Sequence, residues 1–208
     1  MTTASLPNSI PARERMGISD RLAEIIFNPA AVFAEVKSMP SAPVNWLAPL
    51  WLALVTAVFS IVLTGDPLSG DKMDAALIVA VATIVGTLWA AIILWLMARL
   101  IFKTNLAFSR ALEIFGLAQM IFVLGTMATT LMILATGDLQ ARPALSILLG
   151  HAAVGRTAVF LSAINPFHFW AAAVMSRGLS TLAGVAYGEA AFWIFGYWIV
   201  LKVALDLL

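Results

Sequence analysis

Arg177 combines a charged side chain with an apolar setting, and it is the first candidate for function. It lies in the apolar stretch 165–187, twelve positions after Asn165. At ~1.5 Å per residue, it would lie ~18 Å along a helix, near the middle of a membrane. Ionisable side chains at that depth usually face the bundle interior and mark function. Two hypotheses stay open: an anion, headgroup or conduction site, or a structural arginine that bonds backbone oxygens or extends to the interface.

His168 is the second candidate, and it lies in the aromatic run 167–170. Such a run is typical of the aromatic belt at a membrane interface. The other histidine, His151, falls on a different segment, and a zinc site needs three or four ligands. The chain has no cysteine, which excludes disulfides, thiolate metal sites and cysteine nucleophiles. We therefore predict no metal and no other cofactor.

Motifs of the common enzyme classes are missing from the sequence. It contains no GxxxxGK[ST] phosphate loop, no HExxH zinc motif and no GxSxG nucleophile elbow. Asp66, Asp71 and Asp74 share one loop, which is typical of a solvated turn. The sequence predicts that the protein is not an enzyme. A third set of candidates is basic, and we expect it to contact a partner or anionic lipid: Arg99, Lys103 and Arg110.

The composition indicates that these residues are held by membrane-spanning helices. Of the 208 residues, 62% are hydrophobic and 11% are charged, and the mean hydropathy is +0.99. Soluble domains have ~45–50% apolar and ~25% charged residues. A soluble fold of this length could not bury so much apolar surface, so the lipid bilayer is the expected solvent. The net charge of +1 gives no indication of nucleic-acid binding.

The predicted fold is all-α, a polytopic transmembrane bundle of five helices. We place the transmembrane domain at 44–208, with spans at about 44–63, 76–98, 115–136, 165–187 and 190–205. The stretch 144–163 would make a sixth span. However, Arg156 lies near its middle with His151 and two glycines, and a central arginine costs ~2.5–3.5 kcal/mol. We therefore predict an interfacial or re-entrant segment there.

The N-terminal region has a different pattern. Residues 1–18 are predicted to be a disordered tail, and 19–43 an amphipathic interfacial segment of two short helices. Ser19 is the expected cap of the first helix, and Asn28 of the second, with Pro29 at its first position. These helices either lie on the membrane surface or pack as ordinary amphipathic helices. A further short surface helix is predicted at 105–113.

Two patterns bear on orientation and assembly. With a cytoplasmic N-terminus, seven basic residues fall on inside segments and four on outside ones, which agrees with the positive-inside rule.

Small residues recur at four-residue spacing, a pattern that lets helices approach closely within one bundle or between copies of the chain. They are Ala82, Gly86 and Ala90 in one stretch, and Ala172, Ser176, Ser180, Gly184 and Gly188 in another.

Three segments resemble a known family. They are FNPAAVFAEVKSMP before NWLAPLWLAL, then NLAFSRALEIFGLAQ, and INPFHFWAAAVMSRGLSTLAGVAYGEA. Together they are similar to the Yip family of five-span membrane proteins, named for interaction with Rab/Ypt GTPases, and most of all to its bacterial branch. The DLYGP-type motif of eukaryotic members is matched here at Pro49. Asn45 and Ala48 stand where that motif has Asp and Gly.

The resemblance implies a non-enzymatic protein with a cytoplasmic N-terminus, which in bacteria would lie in the inner membrane. Its expected role is to organise membrane, or to act as an adaptor for a cytoplasmic protein partner or anionic lipid, with self-association as a further expectation. The alternative function is a small transporter or channel with Arg177 in the bundle interior.

Overall fold

The computed structural model describes residues 16–64, 72–144 and 164–207, and all regular secondary structure in these ranges is helical. The predicted re-entrant stretch at 144–163 lies, apart from its first residue, outside the described residues. Seven α-helices and one π-helical turn are described. They are α1 Ile18–Phe27, α2 Pro29–Ser38, α3 Val44–Thr64, α4 Lys72–Leu96, a π-helix Met97–Ile101, α5 Phe108–Thr136, α6 Pro166–Ala183 and α7 Tyr187–Leu207.

The caps of the two N-terminal helices were predicted in part. Asn28 caps α2 as expected, because its side chain accepts a hydrogen bond from the Ala31 N–H at 3.3 Å, and Pro29 takes the first helical position. The prediction for α1 is wrong, since its N-cap is Gly17 rather than Ser19. The Asp20 side chain accepts from the Gly17 N–H at 3.2 Å. Helix α1 therefore begins at Ile18, within the predicted tail.

Helices α1 and α2 pack into the bundle. Ile25 of α1 and Val32, Phe33 and Val36 of α2 are fully buried. Helix α2 packs against α6, and α1 packs against α2, α5 and α3. One face of each helix is thus packed against the bundle, and the placement of this segment at the membrane surface stays a prediction.

In the described part of the chain, three helices are long and apolar enough to cross a membrane: Val44–Thr64, Met73–Ile101 and Phe108–Thr136, with 21, 29 and 29 residues. A hydrocarbon core is ~30 Å thick and takes about 20 helical residues. The two longer helices exceed this thickness, so they either tilt or extend beyond the core. Helices α6 and α7 are present but are not among these three, so five spans remain a prediction.

Helix α5 is the centre of the bundle and packs against α1, α3, α4 and α6. It begins at Phe108 and continues to Thr136 without a break, so the separate surface helix predicted at 105–113 is wrong. The last turn of α4 widens into the π-helix. Ala98 O then accepts hydrogen bonds from the Thr104 N–H at 2.9 Å and from Thr104 Oγ1 at 3.1 Å.

The last two helices are joined by a tight turn at Gly184. Gly184 has φ +74°, and its N–H and that of Val185 both donate to Ser180 O, which ends α6. The sequence placed this reversal at Gly188–Glu189, but both residues lie in the first turn of α7. Gly178 lies against Phe33 and Ile114, and Gly125 lies against Phe167. Helix α6 therefore runs antiparallel to α5.

Candidate functional site

A buried carboxylate anchors the candidate site, at the end of the bundle where α5 begins. Glu113 is fully buried. Its Oε1 accepts hydrogen bonds from the Ala42 N–H at 2.8 Å and from Asn45 Nδ2 at 2.9 Å. Its Oε2 accepts from Arg110 at 2.8 Å. Three donors thus compensate the cost of burying this negative charge.

Asn45 extends this set of contacts to the N-terminal helices. It is fully buried, and its Oδ1 accepts a hydrogen bond from Arg21 at 2.8 Å. Arg21 also forms an ion pair with Glu35 at 3.6 Å, and its second amino group donates to Met16 O at 3.0 Å. We call Arg21, Glu35, Asn45, Arg110 and Glu113 the polar cluster. It joins α1, α2, α3 and α5.

A close approach of two helices places Asn45 beside Glu113. Gly116 lies against the backbone of α3, where an added Cβ would be 2.5 Å from the Trp46 Cα. A larger residue at 116 would push α3 away and break the hydrogen bond from Asn45 to Glu113. This glycine is therefore required by the geometry of the polar cluster rather than by backbone conformation.

Arg110, which the sequence offered as a contact for a partner or anionic lipid, is half-buried and bonded within the fold. Besides its bond to Glu113, it donates to Val36 O at 2.9 Å and to Met39 O. These two carbonyls lie at the C-terminal end of α2, where helical oxygens lack intrahelical partners. Arg110 therefore fixes α2 to α5, and both of its terminal amino groups donate to groups of the fold.

Arg177 is exposed, whereas the alternative function, a small transporter or channel, would place it in the bundle interior. Arg177 is the twelfth of the 18 residues of α6, which ends at Ala183, six residues or ~9 Å further on. The guanidinium carbon lies 5.4 Å from the centre of the Tyr187 ring. A cavity of about 370 Å³ is lined by Arg177, Tyr187, Trp170, Ala173, Val174 and Pro29.

Arg99 and Lys103 are exposed beside the connection from α4 to α5. Arg99 lies over the Trp95 ring, 5.4 Å from its centre. Lys103 has φ +54°, a left-handed conformation that is uncommon for a residue with a side chain.

One end of the bundle carries α1, α2, the α4–α5 connection and the α6–α7 turn. We call it the α1–α2 end.

Most of the chain matches the model of a known protein family. The model of the Yip1 domain matches residues 23–208. The chain belongs to the Yip1 domain family. No curated protein and no solved structure matches the chain. The matched range contains all three candidate spans and four of the five residues of the polar cluster. Arg21 lies two positions before it.

His168 lies in an aromatic layer of the Yip1 domain. Its ring is 5.8 Å from that of Phe122 and 6.1 Å from that of Trp198, measured between centres. This layer joins α5, α6 and α7. Asn165, three positions before, caps α6 by accepting from the Phe167 N–H at 2.9 Å. His168 is thus brought together with aromatic rings, and not with Arg177 or the basic candidates.

Sequence reasoning missed three residues of interest: Arg21, Asn45 and Gln119. Gln119 is buried in α5 and donates to Thr87 Oγ1 of α4 at 2.7 Å. Asn45 and Gln119 share a signal that was available, namely an amide side chain within a strongly apolar stretch, where an unmet hydrogen bond is costly. Within residues 16–64, 72–144 and 164–207, no group of His, Asp or Glu is arranged to hold a metal ion.

Proposed function

We propose that this Yip1 domain is a non-enzymatic membrane protein that organises the bilayer by holding anionic lipid headgroups at its α1–α2 end. The observation that carries the proposal is the position of its free basic side chains. Lys37, Arg99, Lys103 and Arg177 are all exposed. Lys37 lies on α2, Arg99 and Lys103 lie at the α4–α5 connection, and Arg177 of α6 lines a cavity with Pro29 of α2 and Tyr187. We call these four residues the basic surface.

The charge balance at this end favours an anionic ligand. Among the described residues there, the exposed acidic side chains are Asp20 and Glu189, with Glu24 half-buried, against the four of the basic surface. Each basic residue near an anionic membrane surface contributes ~1 kcal/mol of attraction. Arg21 and Arg110 add little to this attraction, because Glu35 and Glu113 already compensate their charges.

The surroundings of Arg177 suit a lipid headgroup. Tyr187 and Trp170 provide aromatic walls, and Pro29 of α2 closes one side of the cavity. Aromatic side chains with a polar edge favour the headgroup level of a bilayer. A guanidinium at that level can bind a phosphate with two parallel hydrogen bonds.

The proposal includes an orientation. The positive-inside rule places the α1–α2 end, and with it the N-terminus, on the cytoplasmic side. The cytoplasmic leaflet carries a negative surface potential. The resemblance to the bacterial branch supports the inner membrane as the location. Five spans would then put the C-terminus on the other side.

The test compares lipids that remain bound after gentle extraction. The protein, tagged at the N-terminus, is extracted with its lipid annulus, and bound lipids are quantified by mass spectrometry. The variant with Arg99→Gln, Lys103→Gln and Arg177→Gln should lose at least about fivefold in anionic-lipid enrichment, from ~1 kcal/mol per charge. Arg110 is left intact because it holds α2.

The matched control is Arg142→Gln, an exposed arginine after the far end of α5. It should leave the enrichment unchanged. Equal enrichment in the triple variant and the wild type would contradict the proposal. A stoichiometric protein that co-purifies and is lost in the triple variant would instead show that the basic surface binds a protein partner.

A further inference from the structure

A cavity lies between α3, α4 and α5, away from the basic surface. Its volume is about 250 Å³. Gln119 of α5 lines it together with Thr83 and Thr87 of α4, and small residues, Ala53, Ala57, Ala82 and Gly86, form much of the remaining wall. Gly86 is exposed, and a Cβ there would meet nothing within 4 Å. The cavity is therefore open toward the lipid at Gly86.

Gln119 has an acceptor that its own fold does not satisfy. The residue is 3% exposed, and its Oε1 is buried without a hydrogen-bond partner in the described part of the chain. Its Nε2 donates to Thr87 Oγ1 at 2.7 Å, and Thr87 Oγ1 donates to Thr83 O at 2.7 Å. Because the Thr87 proton is already used, exchanging the amide oxygen and nitrogen would not give the oxygen a donor.

The missing partner must therefore be a donor that comes from outside these helices. An unmet acceptor in such surroundings costs ~1–3 kcal/mol. The last torsion of a glutamine side chain is soft, so the amide can tilt toward the cavity while it keeps its bond to Thr87. The eleven residues that line the cavity include no charged side chain, which disfavours an ionic ligand.

Size and depth restrict the ligand further. At ~30 Å³ for each water-sized group, the cavity has room for about eight such groups. That volume suits a short length of one aliphatic chain. It is too small for a helix of another protein, which with its side chains is ~10 Å wide. Gln119 lies six residues, or ~9 Å, beyond Glu113 along α5. A phospholipid would have to draw its charged headgroup below the interface to reach it, at a high cost.

We propose that this cavity binds an uncharged, hydroxyl-bearing lipid, whose hydroxyl donates to Gln119 Oε1 and whose chain lies along Ala82 and Gly86. Diacylglycerols and long-chain alcohols both have this chemistry. Water would satisfy the oxygen too, but it would leave the apolar walls at the Gly86 opening uncovered. The site does not depend on the basic surface.

Photolabelling tests the proposal on the full chain, reconstituted in vesicles of phosphatidylethanolamine and phosphatidylglycerol. The probes are a diacylglycerol with a diazirine in one acyl chain, its O-methyl ether, and a diazirine-bearing long-chain alcohol. Wild-type protein should be labelled about two- to tenfold more by a hydroxyl probe than by the ether, from the value of one hydrogen bond. The stronger of the two hydroxyl probes identifies the lipid class.

Two variants and one control locate the labelling. Gly86→Leu fills the opening and should abolish it, and Gln119→Leu should remove the preference for the hydroxyl over the ether. Gly196→Leu is the control, because Gly196 of α7 also has nothing within 4 Å of an added Cβ. Equal labelling of wild-type protein by the diacylglycerol and its ether, or undiminished labelling of Gly86→Leu, would overturn the proposal.

Discussion

At the scale of single residues, the polar cluster shows why Asn45 is an asparagine in this chain. Its amide makes two bonds of opposite kind, since Oδ1 accepts from Arg21 and Nδ2 donates to Glu113. An aspartate can accept but cannot donate when it is ionised. In the DLYGP-type motif of eukaryotic members, Asp stands at the position of Asn45. In those proteins we therefore expect that the side chain does not face a buried glutamate.

The substitution Asn45→Asp should therefore destabilise this protein. The two carboxylates of residues 45 and 113 would face each other at about hydrogen-bond distance in a buried site. Even with Arg21 beside the new charge, the expected loss is ~1–3 kcal/mol. Thermal unfolding of the detergent-solubilised protein measures it. Asn105→Asp, at an exposed position, is the isosteric control, and equal stability of both variants would contradict the assigned bonds.

The two arginines at this scale show where sequence reasoning fails. In the sequence, both Arg110 and Arg177 could be charges available for a ligand. In the structure, Arg110 is bonded to groups of the fold, whereas Arg177 is exposed. The partners of Arg110 are Val36 O and Met39 O, 74 and 71 positions away in the sequence. No local pattern contains that information. The position of Arg177 along α6 did not reveal that it is exposed, because its neighbours Ser176 and Gly178 are both buried.

At the scale of helices, local signals were reliable where the chemistry is local. Asn28 was identified as a cap because it bonds an N–H only three positions later. The burial of α2 was not decided by the sequence, because an apolar face has the same spacing whether it meets lipid or protein. The start of α5 was missed because Arg110 and Glu113 are polar. Apart from their bond to each other, their partners belong to α2, α3 and the segment between those two helices.

The packing of α2 leads to a prediction at this scale. Phe33→Ala removes a fully buried ring between α2 and α6, and the expected loss is ~3–5 kcal/mol of unfolding free energy. Limited proteolysis of the solubilised protein should then cut α1 and α2 faster. Phe27→Ala is the control, because Phe27 is 83% exposed. Unchanged proteolysis of Phe33→Ala would indicate that α2 does not pack on the bundle in solution.

The contact of α6 with α2 and α5 can be tested separately. An added Cβ at Gly178 would lie 2.7 Å from Phe33 Cζ and 2.8 Å from Ile114 Cγ2. Gly178→Ala should therefore force these helices apart and lower the unfolding free energy by ~1–3 kcal/mol. Gly196→Ala makes the same change in open space and should be neutral or slightly stabilising. The difference in melting temperature between the two variants measures the effect.

At the scale of the whole molecule, the ion pairs of the described residues lie at one end of the bundle. They are those of Arg21 and Arg110, at the α1–α2 end. The other end is linked by bonds between uncharged groups, such as Ser60 with Thr130 at 2.7 Å. Trp89 Nε1 donates to Tyr197 Oη at 3.0 Å and connects α4 to α7. This asymmetry fits a bundle whose α1–α2 end lies at an aqueous interface.

The course of α6 gives the prediction that decides the number of spans. The chain has no cysteine, so single cysteines can be introduced at Asn105, Gln140 and Ala186, which are all exposed. With five spans, a membrane-impermeant maleimide should label N105C and A186C from the cytoplasmic side and Q140C from the opposite side. If α3, α4 and α5 alone cross the membrane, A186C should instead react on the same side as Q140C. Labelling of intact cells and of inverted vesicles separates the two arrangements. The antiparallel course of α6 beside α5 favours the first, because it returns the chain to the α1–α2 end before Ala186.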